Sequence, residues 1–147
     1  MSWVIYRGPS LINGEEVFAV LSNVKTESAN TKTGDMAQLS FYFQDIPPHE
    51  SQKTGQDEAV CGDCPLRPLI FKERKAAGTV EDGERPCYVL LWRGELSKWK
   101  GAREKAVDLD GATKALKASG KPLRCGTFGD IASMPLDIFS TLTGIGA

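Results

Sequence analysis

The sequence has little histidine, almost no net charge and no long hydrophobic run, and each shortage argues against a class of protein. One histidine occurs in 147 residues, His49, and it directly follows two prolines, a setting typical of a loop. A site built on several imidazole groups therefore has a single candidate. The formal net charge of -1 gives no overall argument for a nucleic acid or an anionic membrane as partner. No apolar segment approaches the roughly 20 residues that a membrane-spanning helix needs.

The first residues lack the basic segment followed by an apolar segment that marks a secretory signal. We therefore expect a cytoplasmic protein, in which thiols stay reduced. Hydrophobic residues make up 41% of the chain and charged residues 25%. This composition and length predict one globular domain over residues 1–147.

The cysteines are the most informative residues of the chain. They follow the pattern C-x2-C-x22-C-x37-C, with members Cys61, Cys64, Cys87 and Cys125. In a reduced compartment four cysteines are better explained as metal ligands or free thiols than as disulfides. We interpret Cys61, Cys64 and Cys87 as joint ligands of one inorganic centre. Cys125 is the fourth candidate, and the alternative for it is a free thiol in an apolar strand.

The spacing alone does not identify the metal. Four thiolates close a structural zinc site, and three or four thiolates hold a [4Fe-4S] cluster. Pro65 directly after Cys64 is similar to cluster-binding segments. Zinc ribbons usually carry two C-x2-C pairs, whereas Cys87 and Cys125 each stand alone. These features favour the cluster and leave zinc as the alternative.

Hydrophobic patterning predicts an α/β fold with a mixed sheet. Residues 3–6, 17–21 and 37–44 have strand character, and Asn13-Gly14 is a turn signal between the first two. The N-terminal strands are therefore expected to be antiparallel. In the third strand, Leu39, Phe41 and Phe43 are expected to face the core, with Tyr42 on the other face. Residues 45–59 read as an irregular connection. The later chain alternates helix and strand, which predicts βα units: helices near 65–78, 96–106, 110–119 and 135–142, and strands near 87–92 and 122–126.

Three short segments carry a resemblance to known proteins. The first runs from Asn30 to Gly34, before a strand. The second comprises Cys61-Gly62-Asp63-Cys64-Pro65 and Cys87-Tyr88-Val89. The third is the strand that ends in Gly129-Asp130. Together these segments resemble a group of bacteriophage proteins related to the radical-SAM superfamily.

The resemblance implies a partial (β/α) barrel with a [4Fe-4S] cluster near the strand ends, in a protein of the host-cell cytoplasm. It also implies that Asn30, Lys32, Arg124 and Asp130 face the cofactor. The C-x3-C-x2-C run of radical-SAM enzymes is absent, and Arg93-Gly94-Glu95 matches only part of their SAM-binding segment. The function expected is therefore cluster binding, structural or redox, without SAM cleavage.

A different class of function remains open from the residues alone. A zinc-stapled, non-enzymatic module could bind a host protein or a nucleic acid, although the net charge does not support the nucleic acid. A small enzyme that uses Lys32 and Asp130 is a further possibility, but no acid–base pair is evident from the spacing.

Overall fold

A four-stranded mixed sheet forms the centre of the molecule. The computed structural model describes residues 2–25, 34–87, 89 and 91–144. The strands lie in the order β1-β2-β3-β4, with bounds Trp3–Pro9, Glu16–Ser22, Ala37–Phe43 and Leu123–Phe128. The first three strands are antiparallel neighbours, and β4 runs parallel to β3. The mixed α/β sheet with antiparallel N-terminal strands is thus confirmed.

Helices occupy the connection between β3 and β4 and the end of the described chain. They are α1 (Pro48–Thr54), α2 (Glu58–Cys61), α3 (Pro68–Ala76), α4 (Gly94–Ala102), α5 (Leu109–Ser119) and α6 (Leu136–Thr143), with a short 3₁₀ turn at Ile131–Ser133. The Asp108 side chain accepts a hydrogen bond from the Gly111 amide and caps the start of α5, and Gly120 ends that helix in the left-handed conformation. None of the helices in the described ranges is long and apolar enough to cross a bilayer.

Both faces of the central strands are covered, which changes the expected role of Tyr42. Every residue of β3 is buried. On one face the Tyr42 hydroxyl donates a hydrogen bond to Glu95 of α4, and on the other Phe41 packs beside the loop after β4. Successive side chains of β3 therefore point to two faces of the sheet that are both buried, and neither face is exposed to solvent.

Three further expectations need correction. The sheet is open, so a partial barrel is not confirmed, and β3–β4 is its single parallel pair among the described residues. None of the described residues of the 87–92 segment lies in a strand; Tyr88 and Leu90 fall outside the description. Residues 45–59 contain α1 and the first two residues of α2. The prolines at 47 and 48 suit the start of α1.

Candidate metal centre

Three of the four cysteines line one cavity, at the carboxyl end of β4. The cavity has a volume of about 200 Å³. Its walls are formed by Cys61, Cys64, Cys87, Val89 and residues 126–130, and we call it the cysteine cavity. The structure thus brings together thiols from two segments of the chain. The nearest cysteines of these segments, Cys64 and Cys87, are 23 positions apart in the sequence.

The first two thiols are positioned by the end of α2. Cys61 is the last residue of this helix, and Gly62 follows with a φ of 56°, in the region that glycine adopts most easily. The chain then turns back, and the Cys64 amide donates a hydrogen bond to the Cys61 carbonyl at 3.2 Å. Cys64 is exposed and Cys61 is partly buried, so Cys64 is the more accessible thiol of the pair.

A buried ion pair fixes this loop. The Arg67 guanidinium donates to Asp57 at the start of α2, with an Nη2–Oδ1 distance of 2.8 Å, and both side chains are almost fully buried. Arg67 also donates to the carbonyl oxygens of Gly55 and Gly62. One side chain therefore ties both ends of α2 together, and neither the ion pair nor its role was evident from the sequence.

The third thiol is held against the same loop by a backbone contact. The Cys87 amide donates to the Leu66 carbonyl at 2.8 Å. The contact places Cys87 beside the Cys61–Cys64 turn although 22 residues separate Cys64 from Cys87. Cys87 is partly buried.

The opposite wall is a glycine-rich insertion in β4. Cys125 pairs with Leu39, but the next pair joins Phe128 to Ser40, so two extra residues bulge out of β4. Gly126 has a φ of 81°, and a Cβ there would lie 2.8 Å from the Gly129 carbonyl oxygen. The Asp130 amide donates to the Val60 carbonyl at 2.5 Å. This bond joins the β4 wall directly to α2.

Cys61 is the most perturbed of the described thiols. Burial, and then the negative charges of Asp57, Cys87 and Cys64, raise its pKa from 9.0 to about 12, against the opposing effect of Arg67. Without a cation the Cys61 thiol is therefore protonated at neutral pH. A metal that binds here must displace that proton.

The other predicted site residues do not meet in this cavity, except one. Asp130 lines it, with its Oδ1 accepting from the Ala132 amide at 2.9 Å. Cys125 lines a separate cavity of about 690 Å³ between β4, α5 and α6, where partial burial raises its pKa although its surface remains exposed. Arg124 is not among the residues that line the cysteine cavity. Asn30 and Lys32 lie outside the described residues.

The residues of the cysteine cavity fit a cofactor of several atoms. Thiols are the ligands of iron–sulfur clusters, and about 200 Å³ exceeds the roughly 10–15 Å³ that a cavity needs to hold one water. In the described part of the chain, no three His, Cys, Asp or Glu side chains form a group that could hold a metal ion. A tetrahedral zinc site needs its sulfurs about 3.8 Å apart, since each Zn–S bond is about 2.3 Å. Cys61, Cys64 and Cys87 are the residues that would hold a cluster here, and a cluster would supply one-electron chemistry.

A further polar group in the cavity wall was not singled out by the sequence. Thr127 lies in the β4 insertion, and its hydroxyl oxygen is buried with no hydrogen-bond partner among the described residues. The available signal was that Gly126 and Gly129 flank Thr127 and Phe128, but it indicated a turn and no site.

Comparison of the chain with protein-family models, with characterised proteins and with solved structures gave no significant match.

Proposed function

We propose that this protein binds a [4Fe-4S] cluster through Cys61, Cys64 and Cys87. The observation that carries the proposal is the convergence of these three thiols on one cavity. Their segments are held together by contacts that do not involve the cofactor, namely the Arg67–Asp57 ion pair and the Cys87–Leu66 backbone bond. The chain therefore arranges its ligands before the cluster arrives.

The place of the cavity in the fold supports the same function. It lies beyond the carboxyl end of β4, which is parallel to β3. Ligand sites of α/β proteins are found at this end of parallel strands. The resemblance to phage proteins related to the radical-SAM superfamily supports only this position of the site. It also implies the host-cell cytoplasm as the setting.

The chemistry follows from the number of protein ligands. When bound, a [4Fe-4S] cluster supplies one-electron transfer, and with three thiolate ligands one iron remains open to a small ligand. Cys61, Cys64 and Cys87 would hold the cluster. Asp130 places a carboxylate on the same cavity wall, and Cys64 marks the side that faces solvent.

Anaerobic reconstitution with iron and sulfide tests the proposal. We expect a brown protein with about four irons and four sulfides per chain. Cys61→Ser, Cys64→Ser and Cys87→Ser should each lose most of the bound iron. Cys125→Ser is the matched control and should keep it, because its side chain lines the other cavity.

Two results would contradict the proposal. A colourless protein with stoichiometric zinc would replace it with the zinc-stapled interaction module. Full iron and sulfide content in any of the three cysteine variants would remove that residue from the ligand set.

A further inference from the structure

The cavity that Cys125 lines, between β4, α5 and α6, shares no lining residue with the cysteine cavity. We call it the α5–α6 cavity. Its volume is about 690 Å³, within the roughly 300–1,000 Å³ of sites that take small organic molecules. The surface that lines it is largely apolar, and the three elements contribute the side chains of Leu116, Leu123, Phe139 and Leu142. Such a wall favours contact with a hydrocarbon group over contact with water.

The hydroxyl groups of this wall are already used within their own helices. The Thr113 hydroxyl donates a hydrogen bond to the Leu109 carbonyl at 2.8 Å, and the Thr143 hydroxyl donates to the Phe139 carbonyl at 2.9 Å. Polar groups of a ligand that are buried against α5 and α6 would therefore find few partners, and burial without a partner costs free energy. The part of a ligand that lies against these helices is accordingly apolar.

The charged groups of the wall are all positive. Lys117 and Lys121 line the cavity, and none of the described residues that line it is acidic. Lys121 pairs with Asp35 at an Nζ–Oδ1 distance of 2.8 Å, and Lys114, on the same helix as Lys117, pairs with Asp110. Lys117 makes no ion pair with a described residue. Its ammonium group is therefore available to a negative group that enters the cavity.

We propose that the α5–α6 cavity binds an aliphatic monocarboxylate, with the alkyl chain against the apolar wall and the carboxylate accepting a hydrogen bond from Lys117. The choice of an anion follows from charge complementarity, because a bond between an ammonium and a carboxylate is stronger than one between neutral groups. The inference goes beyond the proposed function and does not require a cluster in the cysteine cavity.

Isothermal titration calorimetry of the whole chain with decanoate, below the concentration at which it forms micelles, measures the affinity. Decanol and decylamine are the ligand controls, because they carry the same alkyl chain with a neutral or a positive end. Lys117→Gln and Lys117→Glu remove and reverse the charge. Lys114→Gln is the matched control, since Lys114 lies on the same helix but does not line the cavity.

The variants should order themselves by charge. We expect one decanoate per chain and weaker binding of decanol and decylamine. Lys117→Gln should lower the affinity for decanoate about threefold to fivefold, the effect of losing one partly exposed ion pair. Lys117→Glu should lower it further, because a negative charge then faces the carboxylate. Lys114→Gln should bind decanoate like the wild type.

Cys125 provides a second measurement that locates the ligand. Its thiol is exposed and lines the α5–α6 cavity. Bound decanoate should therefore slow the alkylation of Cys125 by N-ethylmaleimide in proportion to the fraction of chains that hold a ligand. Cys64 is exposed in the cysteine cavity and should react at the same rate with and without decanoate. Mass spectrometry of peptides measures both rates in the metal-free protein.

Several results would overturn the inference. They are the absence of saturable decanoate binding, equal affinity in wild type and both Lys117 variants, and an unchanged alkylation rate of Cys125. Binding to phosphatidylglycerol vesicles without binding of free decanoate would assign the cavity to a membrane lipid. A dimer in sedimentation experiments, with Cys125 unreactive before any ligand is added, would assign it to a second copy of the chain. Uptake of iron and sulfide enters none of these results, so they leave the proposed function untouched.

Discussion

Gly129 is the residue at which the cysteine cavity meets the hydrophobic core. Its φ is 81°, and a Cβ there would lie 2.8 Å from the Phe41 Cβ and 3.2 Å from the Val60 Cβ. Phe41 belongs to β3 and Val60 to α2, and both are buried. The absence of a side chain at Gly129 therefore lets the cavity wall approach the sheet and the cysteine-bearing helix together.

We expect Gly129→Ala to lower the free energy of unfolding by about 3 kcal/mol, from left-handed strain and steric overlap combined. Gly78→Ala is the matched control. Gly78 has a φ of 73° but open space around it, so its cost should stay near 1 kcal/mol. Urea unfolding of the metal-free proteins measures both. Equal losses would show that the close approach at Gly129 is relieved by movement of its neighbours.

The Cys61 thiol predicts a dependence of stability on pH in the metal-free protein. The native thiol keeps its proton to about pH 12, whereas the unfolded thiol loses it near its ordinary pKa of 9.0. Between these values the unfolded chain binds fewer protons, so the free energy of unfolding decreases as the pH rises. From pH 8 to pH 10 we expect Cys61 to account for a loss of about 1 kcal/mol.

Urea unfolding at both pH values, with a chelator present, gives the measurement. Cys61→Ser should lose less stability over the same interval, because serine does not titrate there. An identical slope in wild type and variant would mean that the buried environment does not perturb Cys61.

At the scale of elements, α2 is a four-residue helix that depends on its surroundings. Such a short helix has little stability of its own. It is held by the Arg67–Asp57 ion pair, by the Asp130 amide on the Val60 carbonyl and by the Ser10 hydroxyl on the Ala59 carbonyl. The three contacts come from different parts of the chain, so the position of Cys61 depends on the folding of all three parts.

Arg67→Met should destabilise the protein by about 3 kcal/mol, because it leaves the Asp57 carboxylate buried without its partner. Affinity for the cofactor should fall with it, since the loop from Cys61 to Cys64 loses its clamp. Arg74→Met is the control, because the Arg74–Glu84 pair is more exposed and contributes little. Thermal unfolding and iron content are the measurements. A variant that melts like the wild type would show that the ion pair is not needed.

The elements also show how far the sequence could predict the structure. The strands at 3–9, 16–22 and 37–43 and the helix at 109–119 were predictable because their hydrophobic periodicity and turn residues are local signals. The 87–92 segment is as apolar as a buried strand, but pairing depends on distant neighbours that periodicity does not encode. That three cysteines line one cavity was predictable from their chemistry, whereas Arg67 and Asp57 act through a contact that has no sequence motif.

At the scale of the whole molecule, cofactor binding and folding should be coupled. The cysteine cavity is bounded by α2, the Cys64–Leu66 turn, the segment at Cys87 and the β4 insertion. A cofactor held by three of these parts stabilises the native state in proportion to its affinity. Binding energy at such a site is also folding energy.

We therefore expect the reconstituted protein to unfold at a higher temperature than the metal-free protein. Hydrogen exchange should slow chiefly in residues 58–67 and 126–130, and much less in β1 and β2, which lie away from the cavity. Mass spectrometry of peptic fragments measures this distribution. Uniform protection, or protection confined to α5 and α6, would place the cofactor elsewhere.

The two residues inserted in β4 have a second consequence, for behaviour at high concentration. β4 is an edge strand, with no strand neighbour on its outer side among the described residues. A regular edge strand can pair with the edge of another copy and start aggregation. The bulge at Gly126 and Thr127 interrupts that edge while it builds the cavity wall. A substitution at Gly126 or Thr127 would therefore change the wall of the cysteine cavity and the exposed edge of the sheet together.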